Sequence, residues 1–141
     1  MTNRDARAVA LVAFYSGMRL GEVLRAEPTD RGWLLEDTKN GDRRLMPIHP
    51  KVAHLARRWP PVCSSRTAHK RFTAAAHLAG FHDLRFHDLR HSAASEMVNA
   101  GVDLYSVGAV LGHKAPASTK RYAHLANDTL AKALGKIGRK P

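Results

Sequence analysis

The segment GWLLEDTKNGDRRLMPI, Gly32 to Ile48, constrains the fold more than any other part of this chain. Asn40-Gly41 is a dipeptide that tolerates the positive φ angles of a two-residue hairpin turn. It lies between two runs, GWLLEDT and RRLMPI, whose apolar residues and turn-forming flanks read as strands. Pro47 and Pro50 close the second run, because proline cannot donate to a ladder. A hairpin around residues 32–48 is therefore set into a chain whose remaining pattern is helical.

Helices are expected over 2–15, stopping near Gly17, and over 18–26, closed by Pro28. After the hairpin, 51–58 is expected to be helical and to stop at Pro60-Pro61. A better helix covers 64–79, with Gly80 as its C-terminal cap. Residues 87–99 form the next, ending before Gly101, and 103–111 follow with Asp103 as N-cap. Segments 118–124 and 127–136 complete the chain. No linker or low-complexity stretch divides it. The expected fold is mainly α with a small antiparallel β-sheet, a single domain over residues 1–141.

Charge narrows the partner. The chain carries 23 Lys and Arg against 12 Asp and Glu, a formal net charge of +11 at pH 7. Such an excess points to a polyanion, most often nucleic acid. Arginines outnumber lysines, and the planar guanidinium donates two parallel hydrogen bonds to a phosphate. The single cysteine, Cys63, excludes an internal disulfide framework and a cysteine-based zinc cluster. No apolar run is long enough to span a membrane. Charges occupy the opening residues where a signal peptide needs its apolar stretch, so a cytoplasmic protein is expected.

One local repeat remains, FHDLRFHDLRHS from Phe81 to Ser92. Its first copy falls after the Gly80 stop, so Phe81 and Leu84 are expected to anchor a connection while His82 and Arg85 face solvent. The second copy opens a helix, with Leu89, Ala93 and Met97 as an apolar stripe. His87 and Arg90 then lie roughly 60° apart and share a face. On one helix the two copies would be about 140° apart and could not build one site. His87 and His91 have the spacing of a two-histidine metal pair, but no glutamate stands between them and no third ligand is evident. The other reading is a phosphate site, with Arg90 as clamp and His87 handling a proton.

Five pieces in order decide between these readings: SGMRLGE (Ser16 to Glu22), TKNGDRRLMP (Thr38 to Pro47), HDLRH (His87 to His91), LGH (Leu111 to His113) and TKRYAHL (Thr119 to Leu125). Together they resemble the catalytic domain of the tyrosine recombinases, the phage integrase family, over about residues 10–125. The resemblance implies a strand transferase on double-stranded DNA that forms a 3′-phosphotyrosyl intermediate and needs no cofactor or metal. It implies Arg19 and Arg90 as the phosphate clamp, Lys39 as proton donor to the leaving 5′-oxygen, and His87 as the group assisting proton transfer from tyrosine. It implies His113 as a further hydrogen-bonding group and Tyr122, nine positions after His113, as the nucleophile. Glu22 and His91 are supporting neighbours. Arg43, Arg44, Lys114, Lys120 and Arg121 are candidates for the DNA backbone. Tyr15 and Tyr105 fall in apolar patterns and read as packing residues.

The family also implies other recombinase subunits as partners on DNA, a tetramer, with a monomer expected in isolation. Family members carry an N-terminal helical domain that closes around DNA, and this chain is expected to lack it. A non-catalytic DNA-binding remnant and a type IB topoisomerase-like cleavage are the alternatives. The tail, NDTLAKALGKIGRKP, is expected to form a short helix with Leu130 and Leu134 on one face, docking on its own domain or on a neighbouring subunit.

Overall fold

The computed structural model describes residues 3–37 and 42–112, together with residues 131, 134, 135, 137 and 138. The chain divides into two compact units, Met1–His91 and Ser92–Pro141. In chain order the elements are α1 (Asn3–Phe14), α2 (Leu20–Arg25), β1 (Glu27–Thr29), β2 (Gly32–Asp37) and β3 (Asp42–Met46). A 3₁₀ turn (Pro50–Val52) leads into α3 (Ala53–Ala56), and α4 (Ser65–Leu78), α5 (Asp88–Asn99) and α6 (Leu104–Leu111) follow. The mainly helical class with a small antiparallel sheet is as the sequence implied.

In the first unit α1 packs against α2 and α4, and α2 packs against β2. The sheet has the order β1-β2-β3, antiparallel throughout. Its alternation is clean: Trp33, Leu35 and Met46 are buried, whereas Leu45 is 48% exposed. Trp33 opposes Met46, and Leu34 opposes Leu45, so each cross-strand pair belongs to one face. Val9, Val12, Met18, Val23 and Val52 complete the buried core with Trp33. Trp59 meets Trp33 edge to face, with ring centroids 5.1 Å apart.

β1 departs from the expectation that Pro28 merely closes a helix. Pro28 lies within the strand, opposite Trp33. β1 is an edge strand, where a residue without an N–H costs little. Thr29 Oγ1 turns the chain by donating to the Gly32 carbonyl at 2.8 Å and accepting the Arg31 N–H at 3.2 Å. Gly32 has φ +139°, and a Cβ there would collide with the Met46 carbonyl oxygen, so glycine is required by both backbone and space.

The second unit holds its own cluster: Ala94, Val98, Val107 and Leu111, with Met97, Val102 and Leu104 packed against it. The expected stripe of α5 is thus widened by one position: Ala93 is buried and Met97 packs against the cluster as expected, but Ala94 and Val98 are the most deeply buried. Asp103 caps α6 as expected, its carboxylate accepting the Ser106 N–H at 2.8 Å. Tyr105 is not a packing residue: it is 88% exposed. The buried face of α6 runs through Val107, Gly108 and Leu111, and Tyr105 is turned away from it. Phe81 does not anchor the α4–α5 connection either, being 59% exposed. Phe86 takes that place, edge to face on Phe72 at 5.4 Å and 3% exposed. The expected segment 118–124 and Leu130 lie outside the described residues; Ala131, Leu134 and Gly135 are helical.

Trp33→Ala should cost about 3–5 kcal/mol of unfolding free energy, the range for truncating a buried large aromatic. Leu78→Ala, at a position 92% exposed, should stay within about 0.5 kcal/mol. Urea denaturation of both variants checks the pair.

Candidate phosphate-binding site

Three local structures bring the site together. The first is the turn between α1 and α2. Gly17 takes φ +72° and its N–H returns to the Ala13 carbonyl at 2.9 Å, ending α1. The Ser16 hydroxyl bonds the Val12 carbonyl and accepts the Met18 N–H at 3.2 Å, so the turn is tied down while buried. Arg19 follows at once in extended conformation as the N-cap of α2. Its side chain is exposed, and its backbone N–H donates to Glu22 Oε1 at 2.9 Å.

The second is the start of α5. The Asp88 carboxylate accepts the Arg85 N–H at 2.7 Å, and the Arg90 N–H reaches the His87 carbonyl at 3.1 Å. This tight opening turn sets His87 and Arg90 one above the other. Arg90 is only 4% exposed, and its Nη1 donates to the Gly17 carbonyl at 2.7 Å, across 73 residues of sequence. His87 and His91 meet edge to face with centroids 5.0 Å apart.

The third is the sheet edge. The register places Arg44 opposite Leu35, hence on the buried face. From there its guanidinium reaches Glu22 Oε2 at 3.5 Å, a partly shielded ion pair. Glu22 therefore spends one oxygen on the cap of α2 and the other on Arg44. Arg43 points the other way and pairs with Glu36, its cross-strand neighbour, at 3.2 Å, with both side chains well exposed.

Met18, Arg19, Leu20, His69, Phe86, His87 and Arg90 line one small cavity of about 90 Å³. Arg19, which the family resemblance joined to His87 and Arg90, thus lines the same cavity as those two. The size suits one phosphate-sized group, and the two guanidiniums give it a positive wall. Partial burial, then the positive neighbours His91, Arg90 and Arg19, push the His87 pKa below the ordinary imidazole value, with Asp88 opposing. His69 was not foreseen. It belongs to no motif, and its only sequence signal is its place beside Ala68 on α4, whose buried face carries Ala68 and Ala76. Lys39, His113 and Tyr122, and the basic candidates Lys114, Lys120 and Arg121, lie outside the described residues.

Comparison with known proteins places this geometry. The tyrosine recombinase XerC of Corynebacterium glutamicum is 26% identical over 156 residues, an alignment covering 94% of this chain and 50% of the relative. XerC of Staphylococcus carnosus is 44% identical over 54 residues, 38% of this chain and 18% of the relative. The chain thus spans at most about half the length of these relatives. Among solved structures, the catalytic domain of bacteriophage HP1 integrase superposes with a TM-score of 0.72 at 21% identity, covering 98% of this chain and 94% of that one. The XerH recombinase bound to a palindromic difH substrate gives 0.69 at 20% identity, covering 97% of this chain and 47% of that one. The family model for the phage integrases matches residues 2–129, and the chain belongs to the phage integrase family.

Proposed function

We propose that this chain is the catalytic domain of a site-specific tyrosine recombinase, cutting and rejoining double-stranded DNA through a 3′-phosphotyrosyl link. The observation that carries the reading is the cavity in which Arg19 and Arg90 converge with His87. A phosphodiester in that cavity carries negative charge before attack and gathers more on its non-bridging oxygens during it. Two fixed guanidiniums stabilise that build-up most where it is greatest. Arg90 is already held by the Gly17 carbonyl, so little reorganisation accompanies the reaction.

The remaining roles follow the family resemblance. Tyr122 attacks phosphorus, the bond to the 5′-oxygen breaks, and Lys39 supplies the proton that the leaving oxygen takes. The tyrosine proton passes toward His87, and His113 adds a hydrogen bond to the phosphate. The bond energy is kept in the phosphotyrosine, so a 5′-hydroxyl from a partner strand reverses the step without ATP. Arg44 is engaged by Glu22 and Arg43 by Glu36, so contact of either arginine with the DNA backbone competes with an existing ion pair. XerH was captured on its difH substrate and Tn1549 integrase on transposon-end DNA; the same class of polyanion suits this chain's net charge of +11. Assembly on DNA with other recombinase subunits belongs to the same proposal, with a monomer in isolation.

A lowered His87 pKa has a definite consequence. A histidine whose pKa is depressed in the folded chain is neutral at pH 7 and free to accept a proton. Between its folded and its unfolded value the unfolded state binds more protons, so this group's contribution to stability is lost as pH falls through that window. Its ring titration, followed by NMR, should have a midpoint below the ordinary histidine value. Arg19→Gln should raise it by removing a repelling charge. A midpoint at or above the ordinary value in the free protein contradicts the assignment.

Tyr122→Phe should abolish covalent trapping on a nicked substrate while DNA binding persists; an adduct in the Phe variant excludes Tyr122 as nucleophile. Arg19→Ala should slow cleavage by about 10²–10³, roughly 2.7–4 kcal/mol of transition-state stabilisation, and leave the unfolding midpoint unchanged because Arg19 is exposed. EDTA should not slow the reaction, since the arginines and Lys39 supply what a metal would.

Binding to DNA by this chain should be weak and steeply salt-dependent, log Kd rising with log salt by about 0.9 per phosphate neutralised. Affinity that is flat between low and physiological salt excludes an electrostatic grip.

A further inference from the structure

The cavity at Arg90 uses only the second copy of the FHDLR repeat. The first copy supplies His82, which lies just past the end of α4. Gly80 there takes φ +89° and turns the chain back. The Gly80 N–H bonds the His77 carbonyl at 3.0 Å and the Phe81 N–H bonds the Ala76 carbonyl at 2.8 Å, closing the helix. The reversal brings His82 alongside His77 in the last turn of α4. Their Nδ1 atoms are 3.2 Å apart and the rings stand at 81° with centroids 4.9 Å apart. Both side chains are exposed.

We propose that His77 and His82 form a two-ligand site for a borderline divalent cation of the zinc class, distinct from the phosphate cavity and sharing no residue with it. The argument is metric. Zinc bonds imidazole nitrogen at about 2.0–2.1 Å, so two nitrogens on a tetrahedral zinc are roughly 3.3–3.4 Å apart. The observed 3.2 Å is already close to that span, so receiving the ion requires the rings to turn their lone pairs toward one point and not to close a gap. In the absence of metal the pair shares one N–H···N hydrogen bond. To take the ion, the donor ring moves its proton from Nδ1 to Nε2 through solvent, so both Nδ1 lone pairs face the metal and no net proton is released. Both Nε2–H groups then point outward.

Among the described residues no third histidine, cysteine or carboxylate completes the set. Two coordination positions therefore stay open to water or to an oxygen ligand such as a phosphate, and affinity is modest. The preference follows imidazole chemistry: copper and zinc over magnesium and calcium. The ion would clip the end of α4 to the connection that leads, five residues on, to His87. It would not enter the strand-transfer chemistry.

The test uses the full chain and Zn²⁺ alone. Calorimetry should show saturable binding of about one equivalent. Histidine-ring NMR should show Nδ1 of both His77 and His82 shifting before any other imidazole. His77→Gln and His82→Gln should each lower the affinity at least about tenfold, since even outer-shell changes cost that much. Amide exchange at Gly80 and Phe81 should slow on adding zinc in the parent chain and in neither variant. Four results overturn the site: no saturable binding, wild-type affinity in either variant, unchanged exchange at Gly80 and Phe81, or first shifts at His87 and His91. The last would move the metal to the other histidine pair, and the others would leave His77 and His82 as a hydrogen-bonded pair only.

Discussion

A single hydrogen bond, from the Arg90 guanidinium to the Gly17 carbonyl at 2.7 Å, underlies the arrangement of the site. Arg90 is almost wholly buried. A buried cation without partners costs several kcal/mol, so its position depends on acceptors placed in advance. The Gly17 carbonyl is such an acceptor, and it is presented only because the chain leaves α1 through a left-handed residue. The same turn delivers Arg19 two residues later. One backbone feature thus orients one clamp residue and positions the other.

Glu22 extends this constraint to the sheet. Its carboxylate caps the helix that Arg19 begins and also meets Arg44 from β3. One carboxylate thus ties the start of α2, where Arg19 stands, to the sheet. Removing Glu22 would touch three things at once: the α2 cap, the placement of Arg19 and the charge balance around Arg44.

The FHDLR repeat is a case in which equal letters have unequal roles. Its second copy builds the opening turn of α5 and the clamp. Its first copy makes a connection, in which Arg85 contributes a backbone N–H to the Asp88 cap and His82 contributes a ring to His77. Phe81 and Phe86 occupy equivalent letters, yet one is exposed and the other lies in the core. Gly80 accounts for the difference, because the chain reverses there before the first copy begins.

The sequence by itself determined the fold class, the hairpin and most helix limits. Those features rest on local signals: caps, strand pattern and helical spacing, which act over a few residues. That Arg19 belongs with His87 and Arg90 was implied only by the family resemblance, and the long-range bond from Arg90 to the Gly17 carbonyl is tertiary. Only the tertiary structure decided that Pro28 lies in a strand, that Tyr105 faces water, that His69 lines the cavity, and that Arg44 is engaged by Glu22. Each of those depends on what a distant segment places opposite a residue. Pro28 joins a sheet because Trp33 lies across from it, and Arg44 turns inward because its register matches Leu35. Periodicity names the faces of an element; which of those faces is buried is settled by the partner that packs against it.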